Sequence, residues 1–258
     1  MPSAACTDPY QIRRVAQAEA DADKIHAVAQ IEIDEMQKRA VQRFVLEETK
    51  KQENIESIMG KAFPEVSAEA KPENIEDDWI VNFFDKCRLV SDAEMQALWA
   101  RILAGEANSP GSYSRKTVNV VANLDKFDAE MFTRLCSFGF WMGGFFEILV
   151  YNSEDDIYKK RGVNFDRLSL LDSIGLVQFS PLTGYQFLAL PDKGYTLYFD
   201  QKVWLEFPPG KKPSLDVGHV LPTQVGRQLI SVCKGSPVDG FTEYVKERWR
   251  SFGYKTEP

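Results

Sequence analysis

Histidine, cysteine and long apolar runs are scarce in this chain, and each scarcity narrows the kind of protein it can be. His26 and His219 are the only histidines, and the four cysteines are far apart, with no Cys-x-x-Cys pair. A zinc site made of cysteine and histidine is therefore not expected. No run of about 18 apolar residues exists either, so we expect no membrane span.

The first residues, MPSAACTDPY, lack the basic-then-apolar layout of a signal peptide. Widely spaced cysteines are typical of reduced thiols in a cytosolic protein. Together with the ordinary hydrophobic fraction of 44%, these observations predict a soluble, cytoplasmic protein that has no membrane partner.

Recognisable catalytic motifs are also missing: the sequence has no P-loop, zinc-protease helix, nucleophile elbow or dinucleotide fingerprint. Its acidic doublets, at 77–78 and 155–156, are sequence neighbours that point apart and make poor two-metal sites. Glu147 and Asp166 flank the basic run 159–161 and loosely resemble a nuclease site, but the order is wrong. The sequence therefore favours a protein with no catalytic residues, metal or cofactor, and a cryptic nuclease is the least favoured alternative.

Charge is divided unevenly along the chain. Residues 1–158 contain 17 Lys and Arg against 28 Asp and Glu, a net charge of -11, whereas residues 159–258 contain 14 against 10, a net charge of +4. The acidic part disfavours binding to nucleic acid or anionic membranes, and the C-terminal part permits nucleic-acid binding. The candidate nucleic-acid contacts are Lys211, Lys212, Arg248 and Arg250.

A single long helix is predicted over residues 10–60, because no proline or glycine occurs between Tyr10 and Met59. One face of it has an apolar stripe with spacings of three and four residues, a mean of about 3.67, which keeps the stripe nearly straight. The stripe consists of Ala22, Ile25, Ala29, Ile33, Met36, Ala40 and Phe44. Such a helix is not stable alone, so it is a candidate oligomer stripe that pairs with its own chain, a second copy or another protein.

Residues 64–74 form a polar linker with two prolines, and four short helices are predicted between there and residue 140. Their predicted N-caps are Asn74, Ser91 in a capping box with Glu94, Ser114 and Asp125, and Gly105 is expected to end the second helix.

The turn ANSPGSYS between the second and third of these helices is the candidate interaction site. Its residues are Asn108, Ser109, Ser112, Tyr113, Ser114 and Arg115. The N-terminus of the following helix would suit a phosphate or a partner's carboxylate. A well-capped tight turn needs the same residue types, and we favour that interpretation.

After residue 138 the pattern changes to short strands mixed with helices. A strand is predicted over 145–151, a helix over 165–176 that ends at Gly175, and a hairpin between 177–179 and 185–190, which together are typical of a winged helix. A second hairpin is predicted between 203–207 and 217–221, followed by helices over 223–234 and 238–252. The presumed recognition helix contains Asp166 and Asp172, which suits protein contacts better than DNA.

Residues 90–132 read VSDAEMQALWARILAGEANSPGSYSRKTVNVVANLDKFDAEMF, and residues 52–58 read QENIESI. This combination of a Ser-Asp-x-Glu-Met-Gln start, a Trp-Ala-x-Ile-Leu-Ala-Gly-Glu helix and a Pro-Gly-Ser turn closely resembles DUF2806, a bacterial domain-of-unknown-function family. The resemblance implies no reaction and no catalytic residues. Similar helical modules occur among abortive-infection proteins, which implies a role in defence against phage.

The fold class expected from these patterns is mainly α, with a small α+β part at the C-terminal end. The expected divisions are a long N-terminal helix over 1–63, a linker over 64–74, a compact helical domain over 75–140 and a winged-helix-like domain over 141–258. We expect a non-enzymatic interaction, scaffold or sensor protein of anti-phage defence that assembles through its N-terminal helix, as a homo-oligomer or with a protein partner. The alternative is a DNA-binding winged-helix regulator.

Overall fold

The computed structural model of the protein describes residues 9–188, 191–208 and 213–256. It divides into two units, residues 1–53 and residues 54–258. The helix α1 (Pro9–Ala62) begins in the first unit and ends in the second, and it confirms the long helix predicted from the lack of glycine and proline.

Local side-chain pairs support the part of α1 that lies in the first unit. Lys38 contacts Glu35 at 3.3 Å, and the Gln30 amide donates a 2.9 Å hydrogen bond to Asp34. Pairs of this kind contribute about 0.2–0.5 kcal/mol each. They favour the helical conformation without giving the helix a core of its own.

The second unit contains eight further α-helices in its described residues. They are α2 (Asp77–Cys87), α3 (Ala93–Asn108), α4 (Arg115–Ala122), α5 (Lys126–Cys136), α6 (Asp156–Lys159), α7 (Phe165–Ile174), α8 (Gln224–Ile230) and α9 (Phe241–Ser251). As predicted, Ser114 caps α4 by accepting a hydrogen bond from the backbone N–H of Thr117, and Asp125 caps α5 in a capping box. Gly175 ends α7 in the left-handed conformation, with φ of 86°.

Three predicted helix ends are wrong. Asn74 lies in a short 3-10 turn (Pro72–Asn74), and Glu76 is the N-cap of α2. Asp92, not Ser91, caps α3, because its carboxylate accepts hydrogen bonds from the backbone N–H groups of residues 94 and 95. Gly105 does not end α3, and a Cβ there would overlap the ring of Tyr113. The glycine therefore permits close packing instead of stopping the helix.

Within the residues that the structure describes, nine strands form three antiparallel sheets. They are β1 (Gly139–Met142), β2 (Phe145–Ile148), β3 (Val177–Phe179), β4 (Tyr185–Phe187), β5 (Lys193–Tyr198), β6 (Gln201–Glu206), β7 (Leu215–Gly218), β8 (Val220–Pro222) and β9 (Lys255–Thr256). The largest sheet has the order β2-β1-β5-β6-β9, and β3 pairs with β8 and β4 with β7 in two small sheets.

The expected fold class is therefore wrong. Helix accounts for 56% and strand for 15%, and the five-stranded antiparallel sheet makes this a mixed α/β fold instead of a mainly α one. The winged-helix arrangement is not formed, because β3 and β4 do not pair with each other. The second predicted hairpin is wrong as well, since β6 pairs with β5 and β9. β3, β4 and β7 therefore pair with strands that are not their neighbours in the chain, whereas β6 pairs with its neighbour β5.

An aromatic core joins the five-stranded sheet to α9. Phe140 of β1 contacts Trp249 and Phe241 of α9 at ring-centroid distances of 5.8 and 5.9 Å, and Tyr198 of β5 contacts Phe241 at 5.5 Å. All of these side chains are buried. Helix α9 therefore covers one face of the sheet.

Candidate functional site

The predicted oligomer stripe lies in α1 of the first unit, and its apolar side chains are exposed. The side chains of Ile25 and Phe44 are 69% and 62% exposed, and those of Ile33 and Met36 are exposed as well. The three alanines of the stripe, Ala22, Ala29 and Ala40, are exposed too. An apolar surface this long on one helix is typical of an interaction surface.

Sequence reasoning missed other exposed apolar side chains on α1. Those in the first unit are Val28, Ile31, Val41, Val45 and Leu46. At 100° per residue, Ile31 lies on the side of the helix opposite to Ile33. Ile31 and Ile33 therefore have the same side chain on opposite sides of the helix, and only Ile33 belongs to the stripe.

The candidate interaction turn is organised by a buried carboxylate that sequence reasoning also missed. Glu106 in α3 accepts hydrogen bonds from the backbone N–H of Gly111 at 2.6 Å and from that of Tyr113 at 2.8 Å. The Asn108 side chain accepts from the Ser67 backbone N–H at 2.7 Å and donates to the Glu65 carbonyl at 3.0 Å. These contacts tie the turn to α3 and to the segment that follows α1.

The remaining turn residues also have partners inside the second unit. Ser112 donates to the carbonyl of Ser109, and the Tyr113 hydroxyl contacts that of Ser231 at 2.8 Å. A second set of contacts joins the start of α4 to α8 and α2: the hydroxyls of Ser114 and Thr117 donate to Gln228, and Arg115 contacts Asp78. This hydrogen bonding is what a well-capped turn requires, and a role in binding a partner stays a prediction.

Of the four candidate nucleic-acid contacts, Arg248 and Arg250 lie within the described residues. Lys211 and Lys212 lie outside the described residues. Arg248 forms an ion pair with Asp155 at 2.9 Å, and Arg250 donates to the Thr256 hydroxyl at 2.8 Å. Arg248 is therefore already neutralised by a carboxylate.

The carboxylate of Asp155 also accepts a 2.6 Å hydrogen bond from Tyr244. Burial acts to raise the pKa of Asp155, but the hydrogen bonds from Tyr244 and Arg248 outweigh it, so its pKa lies below the usual value. These contacts give the acidic run 154–156 a structural role between α6 and α9.

The two carboxylates of the nuclease alternative lie in unlike surroundings. Glu147 of β2 is buried and pairs with Arg227 of α8 at 2.9 Å, whereas Asp166 lies in the first turn of α7. Among the residues that the structure describes, no group of three or more His, Cys, Asp and Glu side chains is arranged to hold a metal ion. No helix in this part of the chain is long and apolar enough to cross a membrane.

A pocket of about 370 Å³ lies between α3, α5 and α8. Leu98, Phe132 and Leu229 contribute to its apolar lining, and Arg101 and Cys233 are also part of the wall. The backbone carbonyl of Val232 accepts a 2.8 Å hydrogen bond from the Arg101 side chain. The pocket therefore places a half-buried thiol near a guanidinium group.

Sequence reasoning also missed the uncovered face of the five-stranded sheet, which we call the outer face. The strand register places on it Trp141, Phe146, Lys193, Tyr195, Leu197, Lys202, Trp204, Glu206 and Lys255. Alternation along β6, where Val203 and Leu205 are buried between exposed neighbours, is a signal of two different faces. The sequence did not reveal which strands lie side by side, and so this face escaped notice.

These features define the chain as a mixed α/β protein preceded by a long helix with an exposed apolar stripe. Residues 38–246 match the family described as "Protein of unknown function (DUF2806)", and the chain belongs to this family. The match begins within α1 and ends within α9, which confirms the family predicted from the 90–132 segment. No curated protein and no solved structure matches the chain.

Proposed function

We propose that this is a non-enzymatic assembly protein whose α1 stripe pairs with the same stripe of a second copy. The observation that carries the proposal is the exposure of large apolar side chains along residues 25–46. A helix with a narrow apolar stripe gains stability mainly by burying that stripe against another surface. A second copy provides a surface of matching length and spacing.

The stripe is self-complementary when the two helices run antiparallel. If Ala22 of one copy faces Ala40 of the other, the same register sets Ala29 against Ile33. Each contact then occurs twice, as a two-fold symmetric dimer requires. The small alanines allow the two helix backbones to approach closely.

The distribution of charged residues along α1 supports the same antiparallel register. Glu19 and Asp21 lie beside the N-terminal part of the stripe, and Arg39 and Arg43 lie beside its C-terminal part. In the antiparallel register these two groups lie alongside each other, whereas a parallel pair in register would set each acidic residue against its own copy. Opposite charges flanking an apolar seam select partner and orientation.

The oligomeric state of the full chain tests the proposal. We expect a dimer by sedimentation velocity, and a monomer for the Ile33→Glu variant. Ile31→Glu is the matched control, because it adds the same charge two residues away on the opposite side of the helix, and it should remain a dimer. A monomeric wild-type protein, or equal effects of the two substitutions, would contradict the proposal.

A charge exchange tests the orientation. The double variant Glu19→Lys, Asp21→Lys should dissociate more readily than the wild type, and adding Arg39→Glu and Arg43→Glu should restore the dimer. A parallel dimer would not show this rescue, because each of its charged groups faces its own copy.

The biological setting that we propose for this assembly is bacterial defence against phage. Its support is the resemblance of the Trp99 helix to a helix found in modules of abortive-infection proteins. In a host that depends on this protein for phage resistance, the Ile33→Glu variant should lose protection and the Ile31→Glu variant should keep it. Equal plaque counts with and without the gene, across a phage panel, would contradict this setting.

A further inference from the structure

The outer face of the five-stranded sheet combines exposed aromatic rings with lysines. The rings of Trp141, Tyr195 and Trp204 are 48%, 46% and 39% exposed. They come from three neighbouring strands, β1, β5 and β6, whereas the inward side chains of the same strands are buried. Contiguous exposed apolar patches, unlike single exposed side chains, mark interaction sites on protein surfaces.

Strand register arranges the outer face in three rows. In the first row Phe146 lies opposite Trp141, Trp141 opposite Leu197, and Leu197 opposite Lys202. In the second row Tyr195 lies opposite Trp204. Rows two residues apart along a strand are separated by about 6.8 Å, so the aromatic side chains form a continuous platform across three strands.

The third row is charged. Lys193 lies opposite Glu206, and Glu206 lies opposite Lys255. Both lysines are 3.3 Å from the one carboxylate, so this row keeps one positive charge in excess. Side-chain hydrogen bonds from the two lysines, Lys255 first, lower the pKa of Glu206, which keeps it ionised.

Lys202, at the end of the first row, adds positive charge beside the aromatic rings. Its ammonium lies 4.8 Å from the centroid of the Tyr195 ring, which in turn contacts Trp204 at 5.4 Å, edge to face. This arrangement places a cation beside exposed aromatic rings. An incoming π-system with attached negative charge would use both at once.

We propose that the outer face binds single-stranded nucleic acid, with bases stacked on Trp141, Tyr195 and Trp204 and phosphates neutralised by Lys193, Lys202 and Lys255. Aromatic side chains on an open antiparallel sheet, edged by lysines, match the stacking and charge requirements of unpaired strands. A neutral sugar would not need the lysines. A duplex conceals its base faces and cannot stack on the rings.

The net charge of +4 over residues 159–258 agrees with a polyanionic ligand. The inference uses only residues 139–256, so it is independent of the assembly proposed for α1. It places nucleic-acid binding on residues other than the predicted contacts Arg248 and Arg250.

Fluorescence anisotropy of a labelled oligothymidylate with the full-length protein at low salt tests the proposal. We expect saturable binding, a much weaker signal for a duplex of the same length, and an affinity that falls steeply with salt. Trp204→Ala and Tyr195→Ala should each weaken binding by roughly 5- to 150-fold, the effect of losing one stacked base. Trp204→Phe keeps a ring and should retain most of the affinity.

Two control variants separate this face from the rest of the surface. Phe63→Ala removes a highly exposed ring elsewhere, and Lys116→Glu reverses an exposed charge on α4. Neither should change the affinity, whereas Lys202→Glu should weaken binding and reduce its dependence on salt. Because the other three tryptophans are buried, oligonucleotide binding should also quench the fluorescence of Trp141 and Trp204.

Three results would overturn the proposal. They are no saturable binding to the single strand at low salt, equal affinity for single strand and duplex, and unchanged affinity in both aromatic-to-alanine variants. Circular dichroism of each variant verifies that the fold is intact, so that a lost signal is attributable to the removed side chain.

Discussion

Arg227 of α8 contacts both carboxylate oxygens of Glu147 in β2, at 2.9 and 3.2 Å, and donates a further 3.0 Å hydrogen bond to the carbonyl of Phe146. The Glu147 side chain is only 3% exposed. Burial raises the pKa of Glu147, and the charge and hydrogen bonds of Arg227 act in the opposite direction. This ion pair connects the edge of the five-stranded sheet to a helix more than 70 residues away in sequence.

Replacing Arg227 with methionine should leave the buried carboxylate of Glu147 without a partner. The expected loss in free energy of unfolding is about 3–5 kcal/mol, as for other broken buried pairs, measured by urea denaturation. Arg134→Met is the matched control. It breaks the exposed 2.9 Å pair with Glu130, and such exposed pairs contribute at most about 1 kcal/mol.

The loss in free energy of unfolding caused by Arg227→Met should depend on pH. Because the folded-state pKa of Glu147 is raised above its unfolded value, this group stabilises the fold most when protonated, below the unfolded pKa of about 4.3, and that contribution is lost as pH rises through the folded pKa. Removing Arg227 raises the folded pKa further. The difference between Arg227→Met and wild type should therefore shrink as the pH falls from neutral, and a constant difference would contradict the interpretation.

The turn after α3 should depend on Glu106 more than on its own serines. In Glu106→Gln the side chain keeps one acceptor oxygen, so either the N–H of Gly111 or that of Tyr113 loses its partner. Hydrogen bonds to charged groups contribute about 1.5–3 kcal/mol, and a loss of that size is expected in urea denaturation. Ser112→Ala removes an exposed hydrogen bond of the same turn and should cost less than about 1 kcal/mol. Equal losses would show that the carboxylate does not organise the turn.

Local features of the chain were predictable and distant pairings were not. The absence of glycine and proline predicted α1, and Ser114, Asp125 and Gly175 predicted helix ends. These signals are local, because a capping residue bonds to backbone groups only a few positions away. By contrast, β3 pairs with β8 across about 40 residues of sequence, and short strands have little pattern to identify a distant partner.

The same distinction between local and distant features holds for the candidate sites. The α1 stripe was visible because its period is contained in one continuous segment. The outer face was not, because Trp141, Tyr195 and Trp204 meet only after β1, β5 and β6 are placed side by side. Glu106 was missed because a buried carboxylate in a helix has no local signature.

Gly218 should be among the least replaceable glycines of the second unit. It has φ of +84°, and a Cβ at this position would overlap the backbone carbonyl of Val150, with which it forms a bridge. Gly253 has a similar φ of +88° but no atom within 4 Å of its Cβ position. Gly253→Ala should cost about 1–2 kcal/mol from the left-handed backbone alone. Gly218→Ala should cost clearly more, because the backbone must also separate, and thermal unfolding of the two variants compares them directly.

Cys233 should be the most reactive cysteine of the second unit. A hydrogen bond from Cys136 lowers the pKa of the Cys233 thiol, with smaller contributions from Thr133 and the charge of Arg101, and together they outweigh the opposing effect of burial. Cys87 is the natural comparison, because burial raises its pKa to about 12. The thiolate is the reactive form, so at neutral pH iodoacetamide should modify Cys233 well before Cys87 in the folded protein.

Peptide mass spectrometry over a time course of alkylation measures both rates in one sample. Cys136→Ala removes the neighbouring thiol that lowers the pKa of Cys233 most, and it should slow modification of Cys233 at neutral pH and shift its pH midpoint upward. The rate at Cys87 should not change in this variant. In urea the two cysteines should react at similar rates, since the difference comes from their folded surroundings. If Cys87 reacts as fast as Cys233 in the folded protein, the thiol of Cys233 is not activated by these neighbours.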